Sequence, residues 1–205
     1  FADADGTALN TAISNKAPID MTLSSSSISE AVASSWVIGT VSTTDTDQPA
    51  GVAFKYAVAE VTGTDHASFT IDATTGVLSL KAQPDYETKS SYKVVITTTD
   101  GTNGDGKTYS EQLNVTVTNV NEVPTVANAI ADQIIAENGS LSFKFNDNTF
   151  ADVDVGDTLA YTAIQSDGSS LPSWLGFNAS TGTFSGTPTD NTFGTIDIKV
   201  TATDS

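Results

Sequence analysis

Apolar and polar residues alternate along most of this chain in short runs, broken by Gly, Pro, Asn and Asp. That period of two is the pattern of strands buried on one face. Tyr109–Thr118 alternates well, with Leu113, Val115 and Val117 on one face and Asn114, Thr116 and Thr118 on the other. Tyr92–Thr98 sets Val94 and Ile96 against Val95 and Thr97. Shorter strands are predicted at Ile19–Leu23, Ser27–Ala31, Trp36–Val41, Phe54–Val58, Ser68–Ile71 and Val77–Leu80, with Thr75-Gly76 as a turn. No window sustains a helical period. Some seven short strands within residues 19–118 predict a β-sandwich.

Residues 124–205 repeat the style with different content. Leu141, Phe143 and Phe145 alternate with Ser142, Lys144 and Asn146, and Thr158–Ile164 reads as a strand. Leu171–Phe177 is an aromatic-rich corner, and Thr181–Phe184 turns into a strand that ends at Gly186-Thr187-Pro188. Thr195–Thr203 alternates again, with Ile196, Ile198, Val200 and Ala202 expected inward. A seven-strand sandwich needs one more strand after Asp204, so this module is expected to be truncated, with an open sheet edge. Residues 1–14 read as the last turn and strand of a preceding module, and Asn15-Lys16-Ala17-Pro18 as a boundary. The predicted organisation is all-β: a remnant over 1–14, then two tandem Greek-key sandwiches over 15–122 and 123–205. The joint is the short stretch Asn119-Val120-Asn121-Glu122-Val123-Pro124.

Charge narrows the partners. Eight Lys and no Arg stand against 25 Asp and Glu, a formal charge of −17. This excludes nucleic acid and other phosphate-rich partners, which need basic patches. It suits a chain that binds divalent cations through carboxylates, or one that lives in salty surroundings. Cysteine is absent, which removes disulfides, thiolate metal sites and thiol catalysis. No apolar run is long enough to insert in a membrane.

The acids recur in pairs: Asp45 with Asp47, Asp85 with Glu87, and Asp152 with Asp154. On a strand, positions i and i+2 face the same way, and two close carboxylates repel unless a cation or proton lies between them. Calcium takes six to eight oxygens, more than one pair supplies. A single Asp-x-Asp in an acidic chain is ordinarily a solvated turn; three such pairs near inferred module ends point instead to calcium.

Residues 15–124 resemble a cadherin repeat of the kind found in bacterial surface proteins. The matching motifs are Asn15-Lys16-Ala17-Pro18, Ser29-Glu30, Asp45-Thr46-Asp47, Phe69 through Leu78, Asp85-Tyr86-Glu87, Thr99-Asp100-Gly101 and Asn121-Glu122-Val123-Pro124. Residues 125–205 resemble the dystroglycan-type cadherin-like module, through Asp132-Gln133, Phe150 through Asp157, Leu171 through Phe177, Gly182 through Pro188, and Val200-Thr201-Ala202-Thr203-Asp204. The resemblance implies calcium held between modules. Carried over, the 119–124 joint would use Glu30, Asp85, Glu87, Asn119, Val120 through its backbone, Asn121, Glu122, Asp152, Asp154 and Asp204. The opposite end of the first module would offer Asn15, Asp45, Asp47 and Asp100. Asn119 stands where the family usually has Asp, and Val123 where many members have Asn; both lower the ligand charge. The implied host is a long extracellular bacterial adhesin, secreted or on the cell surface, in which such modules are calcium-stiffened spacers contributing to cell adhesion. Expected partners are neighbouring modules of the same chain and a cell-surface glycan or protein ligand, with the chain a monomer. A carbohydrate- or protein-binding module is the second reading, and self-association through the open edge of the second module a third.

Other signals carry less. Asp100 to Glu111 has acids at its first and twelfth positions, as in an EF-hand loop, but Asp105 stands where that loop requires Gly; a hairpin tip is expected. His66 is the single histidine and is expected in a solvated loop, which leaves no histidine-based triad or zinc site. The carboxylate pairs sit at strand ends with no stripe of aromatic subsites, so a glycosidase is not expected. Trp36 and Trp174 have apolar neighbours and are expected in the cores.

Overall fold

The computed structural model describes residues 15–47, 53–100, 106–190 and 193–205. The chain divides into two compact units, residues 1–120 and 121–205. Among the described residues the helical content is a single 3-10 turn, His66–Ser68.

Among its described residues the first unit has eight strands: β1 (Asp20–Leu23), β2 (Ser27–Ser29), β3 (Val37–Thr44), β4 (Lys55–Ala59), β5 (Phe69–Ile71), β6 (Val77–Leu80), β7 (Ser91–Thr99) and β8 (Thr108–Thr118). They form two four-stranded sheets, ordered β1-β3-β6-β5 and β2-β8-β7-β4. The pairs are antiparallel except β2 with β8, which run parallel. Because strand side chains alternate between faces, each sheet turns one apolar row inward. Ile38 and Val41 of β3 and Leu78 and Leu80 of β6 meet Val94 and Ile96 of β7 and Val115 and Val117 of β8 in one buried core. Trp36 packs against it, as expected. Ser27–Ala31 is shorter than predicted: β2 stops at Ser29, and Glu30-Ala31 begins a turn.

The second unit has β9 (Thr125–Val126), β10 (Leu141–Lys144), β11 (Phe150–Ala151), β12 (Ala160–Gln165), β13 (Leu175–Asn178), β14 (Thr183–Gly186) and β15 (Ile198–Thr203). β10 pairs with β14, and β14 with β13; β11 pairs with β9, and β12 with β15. Its core is smaller. Phe145, Leu175 and Phe184 are buried, and the edge-on contacts of Phe145 with Phe150 and Tyr161 extend the cluster. Trp174 packs against this cluster, as its apolar neighbours predicted. The expected inward turn of Ile196 does not occur: β15 starts two residues later, and Ile196 is 40% exposed. His66 also departs from expectation, since the 3-10 turn leaves it half-buried, with Nδ1 3.5 Å from Thr64 Oγ1.

Candidate metal centres

At one end of the first unit, three chain segments meet. Asp45 and Asp47 follow the end of β3, Asp100 follows the end of β7, and Asn15 and Lys16 precede β1. The Asp47 N–H donates to Asp45 Oδ1 at 3.1 Å, and the Lys16 N–H donates to Asp47 Oδ2 at 3.0 Å. The Asn15 amide donates to Asp100 Oδ2, while the Lys107 N–H donates to Asp100 Oδ1 at 2.9 Å. All four expected residues therefore lie in one linked cluster. Asp100 is 4% exposed. The Asp100 N–H also donates to the Lys107 carbonyl at 3.0 Å; the expected hairpin tip, at residues 101–105, lies outside the described residues.

At the other end of this unit Glu30 is the pivot. It is 5% exposed, and both carboxylate oxygens accept backbone hydrogens: Oε2 from Tyr86 and Oε1 from Val120, each at 2.6 Å. Its own carbonyl accepts from the Gln83 amide at 3.1 Å. A carboxylate oxygen of Glu87 lies within 4.8 Å of one on Glu30. Two carboxylates that close repel in the absence of a cation or a proton. Asp85 Oδ1 accepts the Thr88 N–H at 2.8 Å, and Asn119 and Val120 are exposed.

In the second unit Asp154 is the counterpart, 8% exposed, with Oδ2 accepting the Glu122 N–H at 2.9 Å. The Asp154 N–H in turn donates to Asp152 Oδ1 at 3.0 Å. Asp204 follows the end of β15, and Asn121 is exposed.

One expectation about local geometry fails. The acid pairs do not converge by strand alternation. Asp45 and Asp47 lie past β3, and Asp152 and Asp154 past β11, each pair closed by the second residue's N–H on the first residue's side chain. Asp85 and Glu87 lie at a turn. Short Asp side chains bond readily to backbone two residues on, and here that turn sets the carboxylates at the strand ends.

Whether these residues suit a cation is tested by their unmet oxygens. Buried polar atoms are nearly always hydrogen-bonded. Asp45 Oδ2, Asp47 Oδ1, Asp152 Oδ2 and Asp204 Oδ2 are buried without a hydrogen-bond partner. Anionic oxygens held from water without a donor are costly, and a hard cation satisfies them. The donor set of carboxylates, amide oxygens and backbone carbonyls is that of calcium. In each unit the residues fit the ion. The two hydrogen bonds that Glu30 accepts from the backbone were not legible in the sequence, since they depend on Tyr86 and Val120 arriving from distant segments.

Residues 24–118 match the family model described as "Cadherin domain", and residues 123–205 match the one described as "Putative Ig domain". The fold is accordingly two cadherin-like and Ig-like modules. No curated protein matches the chain. Among solved structures, human protocadherin-24 EC1-2 is similar with a TM-score of 0.62 and 19% identity, over 93% of this chain and 97% of that one. Mouse cadherin-23 EC22-24 has a TM-score of 0.59 and 21% identity, over 92% of this chain and 59% of that one. Drosophila N-cadherin EC1-4 has a TM-score of 0.60 and 16% identity, over 92% and 48%. The chain thus spans about half to three-fifths of two of these relatives. Cadherin domains are non-enzymatic modules typical of extracellular adhesion and structure. No helix among the described residues is long and apolar enough to cross a membrane.

Proposed function

We propose that this chain is a calcium-stiffened spacer segment of a long extracellular adhesin, and that its 119–124 linker is the joint calcium stiffens. One observation carries the reading. Within the first unit the Val120 N–H is held by Glu30, and within the second the Glu122 N–H is held by Asp154, so two linker residues separated by Asn121 alone are tied to acids of different modules. Calcium would be held there by Glu30, Asp85, Glu87, Asn119, Asn121, Glu122, Asp152, Asp154 and Asp204, with the Val120 carbonyl; it would supply the positive charge that lets these acids approach. Asn15, Asp45, Asp47 and Asp100 would hold calcium at the other end of the first module. The acids' own task is positional. Glu30 and Asp154 fix the two sides of the linker, and the unmet oxygens of Asp152 and Asp204 await the cation. Binding only to the ordered joint also stabilises the fold by mass action.

The bacterial origin and the dystroglycan-like character of the second module rest on the sequence resemblance. Both tryptophans pack against cores, which counts against an exposed aromatic platform for glycans. The test is calorimetric titration of the metal-free chain with calcium. Saturable binding is expected, weakened at least tenfold by Asp154→Ala and unchanged by Asp167→Ala, whose side chain only closes a turn onto Ser169. Absence of binding, or equal loss in both variants, would overturn it.

A further inference from the structure

In the second module, backbone geometry places a chemically labile pair at the turn leading into β10. Asn138 has φ of +56°, one of two non-glycine residues in the left-handed region among the described residues. Asn tolerates that conformation better than most side chains. Its successor has to be small: a Cβ on Gly139 would stand 2.9 Å from the Ala136 carbonyl oxygen, which accepts the Gly139 N–H at 2.9 Å. The two requirements together favour the sequence Asn138-Gly139. The pair is held in a clamp. The Asn138 N–H donates to the Pro188 carbonyl at 2.9 Å, and the Asn138 side-chain amide donates to Asp190 Oδ1. These bonds lie past Leu141 and Gly186, the end pair of the β10–β14 ladder, and tie the chain before β10 to the chain after β14. Asn138 is exposed, so water reaches it.

We propose that Asn138 is a self-modification site, at which the chain converts its own amide to a carboxylate and so opens the clamp that holds it. The Gly139 nitrogen gives its proton to hydroxide or a buffer base and attacks Asn138 Cγ. A bond from that nitrogen to Cγ closes a cyclic imide, and the bond from Cγ to the side-chain nitrogen breaks, releasing ammonia. Water then opens the ring at either carbonyl, leaving aspartate or isoaspartate at position 138. Nothing is oxidised or reduced, and water is the co-reactant. Gly139 has no side chain to crowd the ring closure. The clamp sets the rate, because the attacking nitrogen is engaged with Ala136 and the departing one with Asp190. Both bonds must open before the ring can form. The product cannot restore them. An Asn side chain carries N–H donors and an ionised Asp carries none, so the new carboxylate would face that of Asp190, and two close carboxylates repel. Isoaspartate also lengthens the backbone by one carbon, which breaks the turn over 136–139. Each opening that ends in reaction is therefore retained as an altered residue. The clamp holds none of the residues assigned to calcium, so this site stands apart from the linker.

The test is peptide mapping by mass spectrometry of the 205-residue chain held in mildly alkaline buffer, beside a free peptide of residues 135–141. Mapping separates this pair from Asn103-Gly104, the other Asn-Gly of the sequence, which lies outside the described residues. Conversion at Asn138 to a mixture of aspartate and isoaspartate is expected, slower in the chain than in the peptide. Asp190→Ala removes the acceptor but leaves the backbone bond to Pro188. It should speed conversion in the chain about tenfold, the change expected from losing a hydrogen bond to a charged group. Asn138→Asp, which copies one product, should speed hydrogen exchange of the N–H groups at 138 and 139 by about the same factor. An amide at 138 that survives in the chain after the peptide has converted completely would overturn the proposal. So would a rate unmoved by Asp190→Ala, or exchange unmoved by Asn138→Asp.

Discussion

Replacing Glu30 by Ala removes one buried carboxylate and, with it, both 2.6 Å bonds to the Tyr86 and Val120 N–H groups. A hydrogen bond to a charged group contributes about 1.5–3 kcal/mol net. Tyr86 and Val120 are each 37% exposed, so water can reach the freed donors. The lower half of that range applies, and the two bonds together contribute about 3 kcal/mol. With a urea m-value of about 1.5 kcal/mol/M, the unfolding midpoint of the first module should fall by roughly 2 M. The assay is urea unfolding in chelator, so that no metal contribution enters, followed by Trp36 fluorescence in a Trp174→Phe background. Glu30→Gln, which keeps one acceptor oxygen, should lose about half as much. In saturating calcium the difference between the parent chain and the Glu30→Ala variant should widen, because a ligand is lost too. A midpoint shift below about 0.5 M in chelator would refute the reasoning, since a carboxylate holding two distant backbone segments cannot be removed with so little effect.

Further outcomes follow from single positions. Gly182 has φ of +64°, and a Cβ there would stand 2.7 Å from the buried Phe145 ring, so Gly182→Ala should cost the second module about 2–4 kcal/mol by thermal unfolding. Gly63 has φ of +83° with nothing within 4 Å, so Gly63→Ala should cost only the backbone contribution, about 1 kcal/mol. Burial alone would push the Asp65 carboxyl up, but hydrogen bonds from Lys89 and the Lys93 N–H, with the charge of both lysines, hold it below the usual carboxylate range. That contribution is present above the unfolded-state value and disappears as pH falls through the lowered one. The Lys89 pair is partly exposed, so its share is about 0.5 kcal/mol. Asp65→Asn should therefore flatten stability against pH below about 4 and leave it nearly unchanged by the substitution at low pH.

Strand after strand was readable because one face is buried: β7 and β8 differ from their expected limits by a residue at most. β9 and β11, of two residues each, are too short to show any period and come into being only by pairing with each other. The acids were legible as a set, but not the reason they gather. The turns after β3 and β11 depend on backbone geometry, and Glu30's role on segments 56 and 90 residues away.

The central claim is that calcium stiffens the 119–124 linker. Small-angle X-ray scattering of the chain compares saturating calcium with chelator. The account predicts a narrower distribution of distances between the two modules in calcium, with Asp154→Ala resembling the chelated chain under both conditions. Superimposable curves with and without saturating calcium would contradict it.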